Sequence, residues 1–395
     1  MTSPDKAKKY SLVLDIGTSG IKAFVFDEHL NVVSRAHKAL SRFSEHIDWT
    51  EQKPEDLLQI SAELLKEAVA KSGIPEESFI GLGITNQRET TILWDRDSGK
   101  PVYPAIVWED VRTKEYCQTL HKDFGILVRE KTGLSIDPYF SAPKIRWILD
   151  NVKEARELLG LGRLVFGTVD SWILWNFLQG EKHLTDQTNA SRTLLFNIKE
   201  TKWDKELLDV FQIPKEILPE AHPSQSFFGN LKSDIVGFSL PVIAVCGDQQ
   251  SSLFAAGTDV GTTKVTFGTG TFVSQVLGSD FLLSDKFFTM LIPSKDRPRY
   301  ALEAKINSSG KKIENALGEP EKLQAVYKEL AKQVNEYIQY LPHVPKEITI
   351  DGGGTRDGLA ASILADITRL PIKSQTIFDG TALGVAMMVR ENSLN

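Results

Sequence analysis

Short apolar runs that stop on small polar residues recur along this chain, separated by longer stretches with apolar residues at helical spacing. Residues 11–14 are apolar and lead into Asp15-Ile16-Gly17-Thr18-Ser19-Gly20, after which 21–26 and 32–36 read as further strands. Strand, small-residue turn, strand predicts a hairpin. Residues 54–72 put Leu57, Leu58, Leu64, Leu65 and Val69 on one face behind a first-turn proline, which predicts an amphipathic helix. Residues 79–85 read as a buried strand delivering Asn86-Gln87-Arg88-Glu89 at its carboxyl end. The apolar run 105–108 carries Trp108, 112–124 and 143–159 have helical patterns, and the loop 132–140 carries Tyr139. Residues 164–178 mix strand and helix signals.

In the second half, 241–246 predicts a strand that stops at Gly247-Asp248, followed by a helix over 249–256 and a strand over 263–266. Gly268-Thr269-Gly270 then makes a small-residue turn. Short strands are expected at 288–292 and 300–303. Residues 321–341 are the clearest helix, with Leu323, Val326, Leu330, Val334, Tyr337, Ile338 and Leu341 in one core-facing stripe. Residues 348–350 read as a strand running into Asp351-Gly352-Gly353-Gly354, and 381–390 as a final helix. The alternation is that of an α/β protein. At 395 residues the chain is long for one core. The polar, turn-rich stretch 224–237 puts the boundary near Leu240, giving domains 1–240 and 241–395.

Composition narrows the partners. The net charge of −6 and the absence of a Lys/Arg block argue against nucleic acid. No apolar run is long enough to span a membrane, and the polar start MTSPDKAKKY has no leader-like apolar region. Two cysteines, Cys117 and Cys246, make neither a disulfide framework nor a metal site, which fits a reducing, cytoplasmic compartment. The histidines are scattered, and no zinc is expected.

What remains is phosphate chemistry. A carboxylate at a strand end accepts a proton, and amides in a Gly-rich turn cradle oxyanions. Asp248 has the first position. The turn from Asp15 to Lys22 and the Gly268 turn have the second, one in each half of the chain, with Asp15 placed to reach a hydrated Mg²⁺. Other readings stand beside these. Asp248 also suits a helix cap, either turn a plain hairpin, and Trp108 and Tyr139 a core. Arg88 beside Glu89 is either an exposed ion pair worth little or a pair that holds substrate hydroxyls.

Taken together, GITNQRETTILWDRDSGKPVYPAIVWED (83–110), TGLSIDPYFSAPKIRWILD (132–150), TDQTNASRTLLFNI (185–198) and GDQQSSLFAAG (247–257) resemble the FGGY family of carbohydrate kinases, and within it the glycerol kinases. The similarity runs in order from residue 11 to about 385. It implies two ribonuclease-H-like domains of the actin, hexokinase and Hsp70 type, with ATP in a cleft between them. It implies ATP-dependent phosphorylation of a small polyol, glycerol first, with ATP and Mg²⁺ as cofactors. The family's polyol-contacting positions fall on Arg88, Glu89, Trp108, Tyr139, Asp248, Gln249 and Phe272, and its catalytic base on Asp248. Its phosphate turns fall on Asp15, Gly17, Thr18, Ser19 and Lys22, and on Gly268 and Thr269. Its metal carboxylate falls on Asp15, and its adenosine side on Gly310, Glu314, Gly353 and Gly354.

The chain also departs from the family pattern. It is shorter than a typical glycerol kinase, with no counterpart of a Pro-Tyr-Trp segment between Glu303 and Asp351 and no tail beyond the last helix. Glu314 stands where Gln is usual and Asp357 where Asn is usual. The basic loop expected near 229–240 has no match, so sugar-bisphosphate control is not carried over. Erythritol, xylulose or ribulose are the alternative substrates, and a catalytically weak ligand sensor is the alternative class. Oligomeric state stays open, with a homodimer among the options.

Overall fold

The structure is a computed structural model describing residues 8–180, 182–268, 270–306, 309–355, 358–375 and 379–393, apart from the side chains of residues 311 and 314. It divides into two compact units. The first takes Met1–Asp248, Pro293–Lys295 and Val385–Asn395, and the second Gln249–Ile292 and Asp296–Gly384.

The first unit is built on a six-stranded sheet: β1 (Tyr10–Ile16), β2 (Gly20–Phe26), β3 (Val32–Ala39), β4 (Phe79–Asn86), β5 (Gly229–Asn230) and β6 (Pro241–Gly247). Its spatial order is β5-β6-β4-β1-β2-β3. β1 is buried along its whole length, which is why its sequence is a continuous apolar run. β3 is mostly exposed, as a half-covered edge should be. The helix Pro54–Ser72 packs on this sheet. Proline stands in its first turn with Glu55 and Asp56, Lys71 in its last, and Gly73 ends it in the left-handed region at φ 63°. Leu57, Leu64 and Leu65 are buried beneath it, each contributing roughly 1.5–3 kcal/mol. Ser34 Oγ donates to Ala68 O at 2.6 Å, tying the helix to β3.

The second unit repeats the plan. Its strands are β7 (Thr263–Phe267), β8 (Thr271–Gly278), β9 (Phe288–Ile292), β10 (Arg299–Ile306), β11 (Ile348–Asp351) and β12 (Ile372–Ser374), in the order β9-β10-β8-β7-β11-β12. Both sheets share a core of three antiparallel strands followed by parallel ones, β3-β2-β1-β4-β6 and β10-β8-β7-β11-β12. The two small-residue turns singled out in the sequence occupy equivalent places, one joining β1 to β2 and the other β7 to β8.

Several boundaries differ from the sequence reading, each for a local reason. The chain passes between units at Asp248 and Gln249 rather than near Leu240, because β6 pairs with β4 and completes the first sheet. The helical pattern 143–159 is two helices, Ser141–Asn151 and Lys153–Gly160, broken where Val152 takes an extended conformation. The helix expected over 112–124 runs Lys114–Thr132 and stops at Gly133, φ 73°. The helix Leu359–Thr368 had no reading in the sequence.

One core group has a consequence for pH. His183 stands edge-on to Trp94 and Trp175, with Nε2 2.7 Å from Phe166 O. Burial pushes its pKa down to about 4. From pH 6.5 down to about 4 the unfolded chain therefore binds the proton and the folded chain does not, so acidification costs stability. Buried Asp170, pushed up to about 6 by burial and by Asp186, acts in the opposite sense over its own window, where the folded form holds the extra proton. His183→Gln is expected to remove the first slope only. Melting followed by tryptophan fluorescence should show the variant gaining on the parent as pH falls from about 7 to 5. Parallel curves would contradict the assignment.

Candidate active site

Three parallel strands of the first unit end side by side. In register, Ile16 of β1 lies against Asn86 of β4, and Asn86 against Gly247 of β6. The residues that follow, Gly17-Thr18, Gln87-Arg88-Glu89 and Asp248, therefore leave the sheet at one edge, where ligands collect in α/β sheets. The sequence separates these groups by more than two hundred positions, and the strand register brings them together.

The charged residues form an alternating row. Arg88 Nε is 3.3 Å from Asp248 Oδ1 and 3.8 Å from Glu89 Oε1, and Arg192 Nε donates to Glu89 Oε1 at 2.6 Å. The side chains of Arg88 and Glu89 are each 1% exposed, which excludes the reading of a weak surface ion pair. Asp248 is 26% exposed and heads the row. It is the first residue of the helix Asp248–Ala256.

Glu89 is held in the left-handed region, φ 63°, a conformation costing on the order of 1–3 kcal/mol for a non-glycine residue. Its carbonyl accepts from Ser141 Oγ at 3.0 Å and Thr91 Oγ1 at 3.1 Å, which fixes that turn. Lys144, fully buried in the same helix as Ser141, donates to Tyr139 O at 2.7 Å. Burial pushes its pKa down to about 8, although Glu89, Asp110 and Asp137 pull the other way.

An aromatic wall adjoins the row. Trp108 meets Tyr139 edge-on with centroids 5.6 Å apart, and Trp108 Nε1 donates to Thr18 Oγ1 at 2.8 Å. That bond ties the wall to the first small-residue turn. Gln52 Nε2 donates to Thr18 O at 2.8 Å and Gln87 Nε2 to Gln52 Oε1 at 2.8 Å, extending the tie to β4. Within the turn, the Gly17 amide closes on Gly20 O at 3.0 Å, and Ser19 is exposed. Asp15 and Lys22 face each other across β1 and β2 at 4.0 Å. Asp15 is a single carboxylate, and no group of three or more acidic, His or Cys side chains suited to a metal occurs among the described residues. This donor set fits a metal that arrives with phosphate oxygens and water, which is the habit of Mg²⁺, and not a protein-caged ion.

Behind the row, Asp186 caps the short helix Gln187–Ala190 by accepting from the amides of Thr188 and Asn189. Thr188 Oγ1 donates to Asp186 Oδ2 at 2.7 Å and accepts from Gly247 N at 2.9 Å, fixing the residue before Asp248. Asn189 and Asn86 exchange amide hydrogen bonds of 2.9 and 3.1 Å.

The second unit holds the other sequence candidates. Gln249 Oε1 is 3.3 Å from both Lys264 Nζ and Thr266 Oγ1. Phe272, on β8, pairs with Thr266 and Lys305 and is buried. The Gly268 amide closes its turn on Gly270 O at 3.1 Å. In the Asp351-Gly354 turn, Gly352 has φ 95° and a Cβ there would stand 2.4 Å from Phe267 O. Its glycine thus answers a backbone approach within the protein. Gly354 O accepts from Tyr327 Oη at 2.6 Å, and Gly353 is exposed with no heavy atom within 4 Å of a built Cβ. Gly310 is buried in the short helix Ser309–Glu314. Thr269, the Glu314 side chain and Asp357 lie outside the described residues.

Arg192, Lys144, Lys264 and Asp351 carry no role in the sequence reading beyond membership of their segments. The available signal was a charged residue inside an otherwise buried motif, such as Arg192 in TNASRTLLF. A charge that stays buried needs a partner.

Comparison with known proteins follows the same lines. Residues 10–255 match the N-terminal domain of the FGGY family of carbohydrate kinases. A glycerol kinase of Dichelobacter nodosus is 35% identical over 442 aligned residues, covering 96% of this chain and 89% of that protein. The aligned stretch exceeds the 395 residues of the chain, so the relative carries segments that the chain lacks. A glycerol kinase of Paraburkholderia phytofirmans is 45% identical over 307 residues, 76% of this chain; that match spans less than two thirds of the relative, 61%. The glycerol kinase of Plasmodium falciparum, solved with ADP, superposes with a TM-score of 0.88 at 27% identity, covering 96% of this chain and 89% of that one. A gluconate kinase of Lactobacillus acidophilus gives 0.85 at 18% identity, over 98% of this chain and 90% of that one, a likeness of fold alone. The two units are those of the actin- and hexokinase-like fold of these kinases. By its matched domain, its relatives and its fold, the chain belongs to the FGGY family of carbohydrate kinases.

Proposed function

We propose that the chain is an ATP-dependent kinase that transfers the γ-phosphoryl group to a terminal hydroxyl of glycerol, giving glycerol 3-phosphate. The observation that carries this reading is the bond from Trp108 Nε1 to Thr18 Oγ1. It ties the aromatic wall, which with the neighbouring row of alternating charges suits a polyol, to a turn suited to phosphate. The glycerol kinases to which the chain is similar support the choice of polyol.

Phosphoryl transfer asks a protein mainly for positioning and for charge stabilisation. Asp248 orients the terminal hydroxyl and takes its proton as that oxygen bonds to the γ-phosphorus, while the bond to the β–γ bridging oxygen breaks and ADP leaves. Arg88 and Glu89 bind the remaining hydroxyls by charge-assisted hydrogen bonds. Trp108 and Tyr139 take the carbon edge and crowd out longer sugars, and Phe272 is assigned to the polyol. Asp15, beside Lys22 and the turn Gly17-Thr18-Ser19, is assigned the Mg²⁺ that accompanies the nucleotide. That ion, when bound, neutralises charge on the β- and γ-oxygens. Gln249 is assigned to the polyol, Gly268 and Thr269 to the phosphates, and Gly310, Glu314, Gly353 and Gly354 to the adenosine. The two cysteines are free and buried, in keeping with a reducing, cytoplasmic setting.

ADP release with Mg-ATP, measured across glycerol, dihydroxyacetone, erythritol, xylulose and ribulose against a no-substrate control, tests the reading. Glycerol-dependent release is expected. Release with another polyol alone would keep the chemistry and change the substrate. Silence from a folded chain that still binds glycerol would overturn the enzyme in favour of a ligand sensor, an outcome the segments missing relative to the Dichelobacter nodosus protein make worth testing.

A further inference from the structure

Arg192 is wholly buried and sits behind the polyol groups rather than among them. Its Nε donates to Glu89 Oε1 at 2.6 Å, and its guanidinium carbon lies 5.5 Å from the Tyr139 ring centroid and 5.1 Å from that of Phe140. One side chain therefore touches both the carboxylate and the aromatic wall assigned to the substrate. Its own backbone is anchored by Arg192 N donating to Asn189 O at 3.0 Å, and Asn189 is bonded to Asn86 at the end of β4. Glu89 stands between two cations, Arg88 at 3.8 Å and Arg192 at 2.6 Å. Arg88 also reaches Asp248, at 3.3 Å. A planar guanidinium supplies a directional fork to a carboxylate and a flat face to a ring, which an ammonium does not.

We propose that Arg192 is a positioning residue that sets substrate specificity: its Nε–H, on Glu89 Oε1, keeps that carboxylate aimed as the acceptor for one hydroxyl of the polyol. The inference rests on the assignment of Glu89 to the polyol. Glu89 then rewards a substrate that presents a hydroxyl donor there and discriminates against one that lacks it, because the buried carboxylate is left without its donor.

Calorimetric binding of glycerol, propane-1,2-diol and propane-1,3-diol to the full chain tests this without depending on turnover. Each diol deletes one glycerol hydroxyl. In the parent chain, the diol lacking the hydroxyl read by Glu89 should bind more weakly than glycerol by about tenfold or more. Arg192→Gln should weaken glycerol by a similar factor and leave that diol within about twofold of its parent value, since the interaction is already absent. A uniform loss for all three ligands, or no loss, would overturn the proposal. Where Arg192→Gln does not fold, Arg192→Lys takes its place, keeping the charge but not the fork, with the same outcomes either way. Failure of the glycerol assignment is seen separately, as parent chain that does not bind glycerol more tightly than either diol.

Discussion

Asp248→Asn is expected to lower kcat for glycerol phosphorylation by about 10²–10⁴-fold while the glycerol dissociation constant moves by less than about threefold. The asymmetry follows from where the carboxylate sits. Asparagine keeps the shape and one acceptor oxygen, so a hydroxyl is still held, but it cannot take a proton as the new phosphate ester forms. Each charge that remains in the row keeps an oppositely charged neighbour. Arg88, which faces Asp248 at 3.3 Å, still has Glu89 at 3.8 Å, and Glu89 still has Arg192. Gly247 remains fixed by Thr188, so the start of the helix Asp248–Ala256 stays in place. Steady-state ADP release paired with glycerol calorimetry reads the two quantities apart. Unchanged turnover would remove Asp248 from the mechanism. A raised dissociation constant with kcat unchanged would make it a binding residue only.

The contrast between Asp248 and Arg192 shows what was legible in the sequence. Asp248 follows an apolar run and a glycine, so its place at a strand end can be read from neighbours alone, as can Arg88 and Glu89 after β4. The equivalent turns after β1 and β7 are legible for the same reason, since small residues between two apolar runs leave few alternatives. The alternating row of charges is not, because it is assembled by register: Ile16, Asn86 and Gly247 come abreast only once β1, β4 and β6 pair. Arg192 is further removed, lying beyond a four-residue helix whose direction is set by Asp186 and Asn189. The domain boundary failed on similar grounds. A polar stretch before β6 reads as a linker, yet β6 is the strand that completes the first sheet. Gly352 has a structural cause that no local pattern carries, its φ of 95° and the approach of Phe267 O.

Lys264→Met is the substitution expected to cost the second unit most. Lys264 is completely buried on β7, and its Nζ donates to Thr266 Oγ1 at 2.6 Å and Ser252 Oγ at 2.7 Å, with Gln249 Oε1 at 3.3 Å and Asp351 Oδ1 at 3.6 Å. Asp351 is 3% exposed and accepts from Thr266 at 2.6 Å and from Ser252. Removing one member of such a pair strands the other charge out of water, which costs about 3–5 kcal/mol. The double variant Lys264→Met with Asp351→Asn leaves no net charge behind and should recover a large part of that loss, a coupling that two independent sites would not show. The effect on function runs along the same bonds. Asp351 opens the turn that presents Gly353 and Gly354, and Lys264 also holds Gln249, so a surviving single variant should lose nucleotide affinity and glycerol affinity together. Scanning calorimetry of the full chain, alone, with nucleotide and with glycerol, measures the stability and both affinities. An unaltered transition in Lys264→Met would mean that the buried cation is not what holds the Asp351 turn, and the positions assigned to adenosine would then need another support.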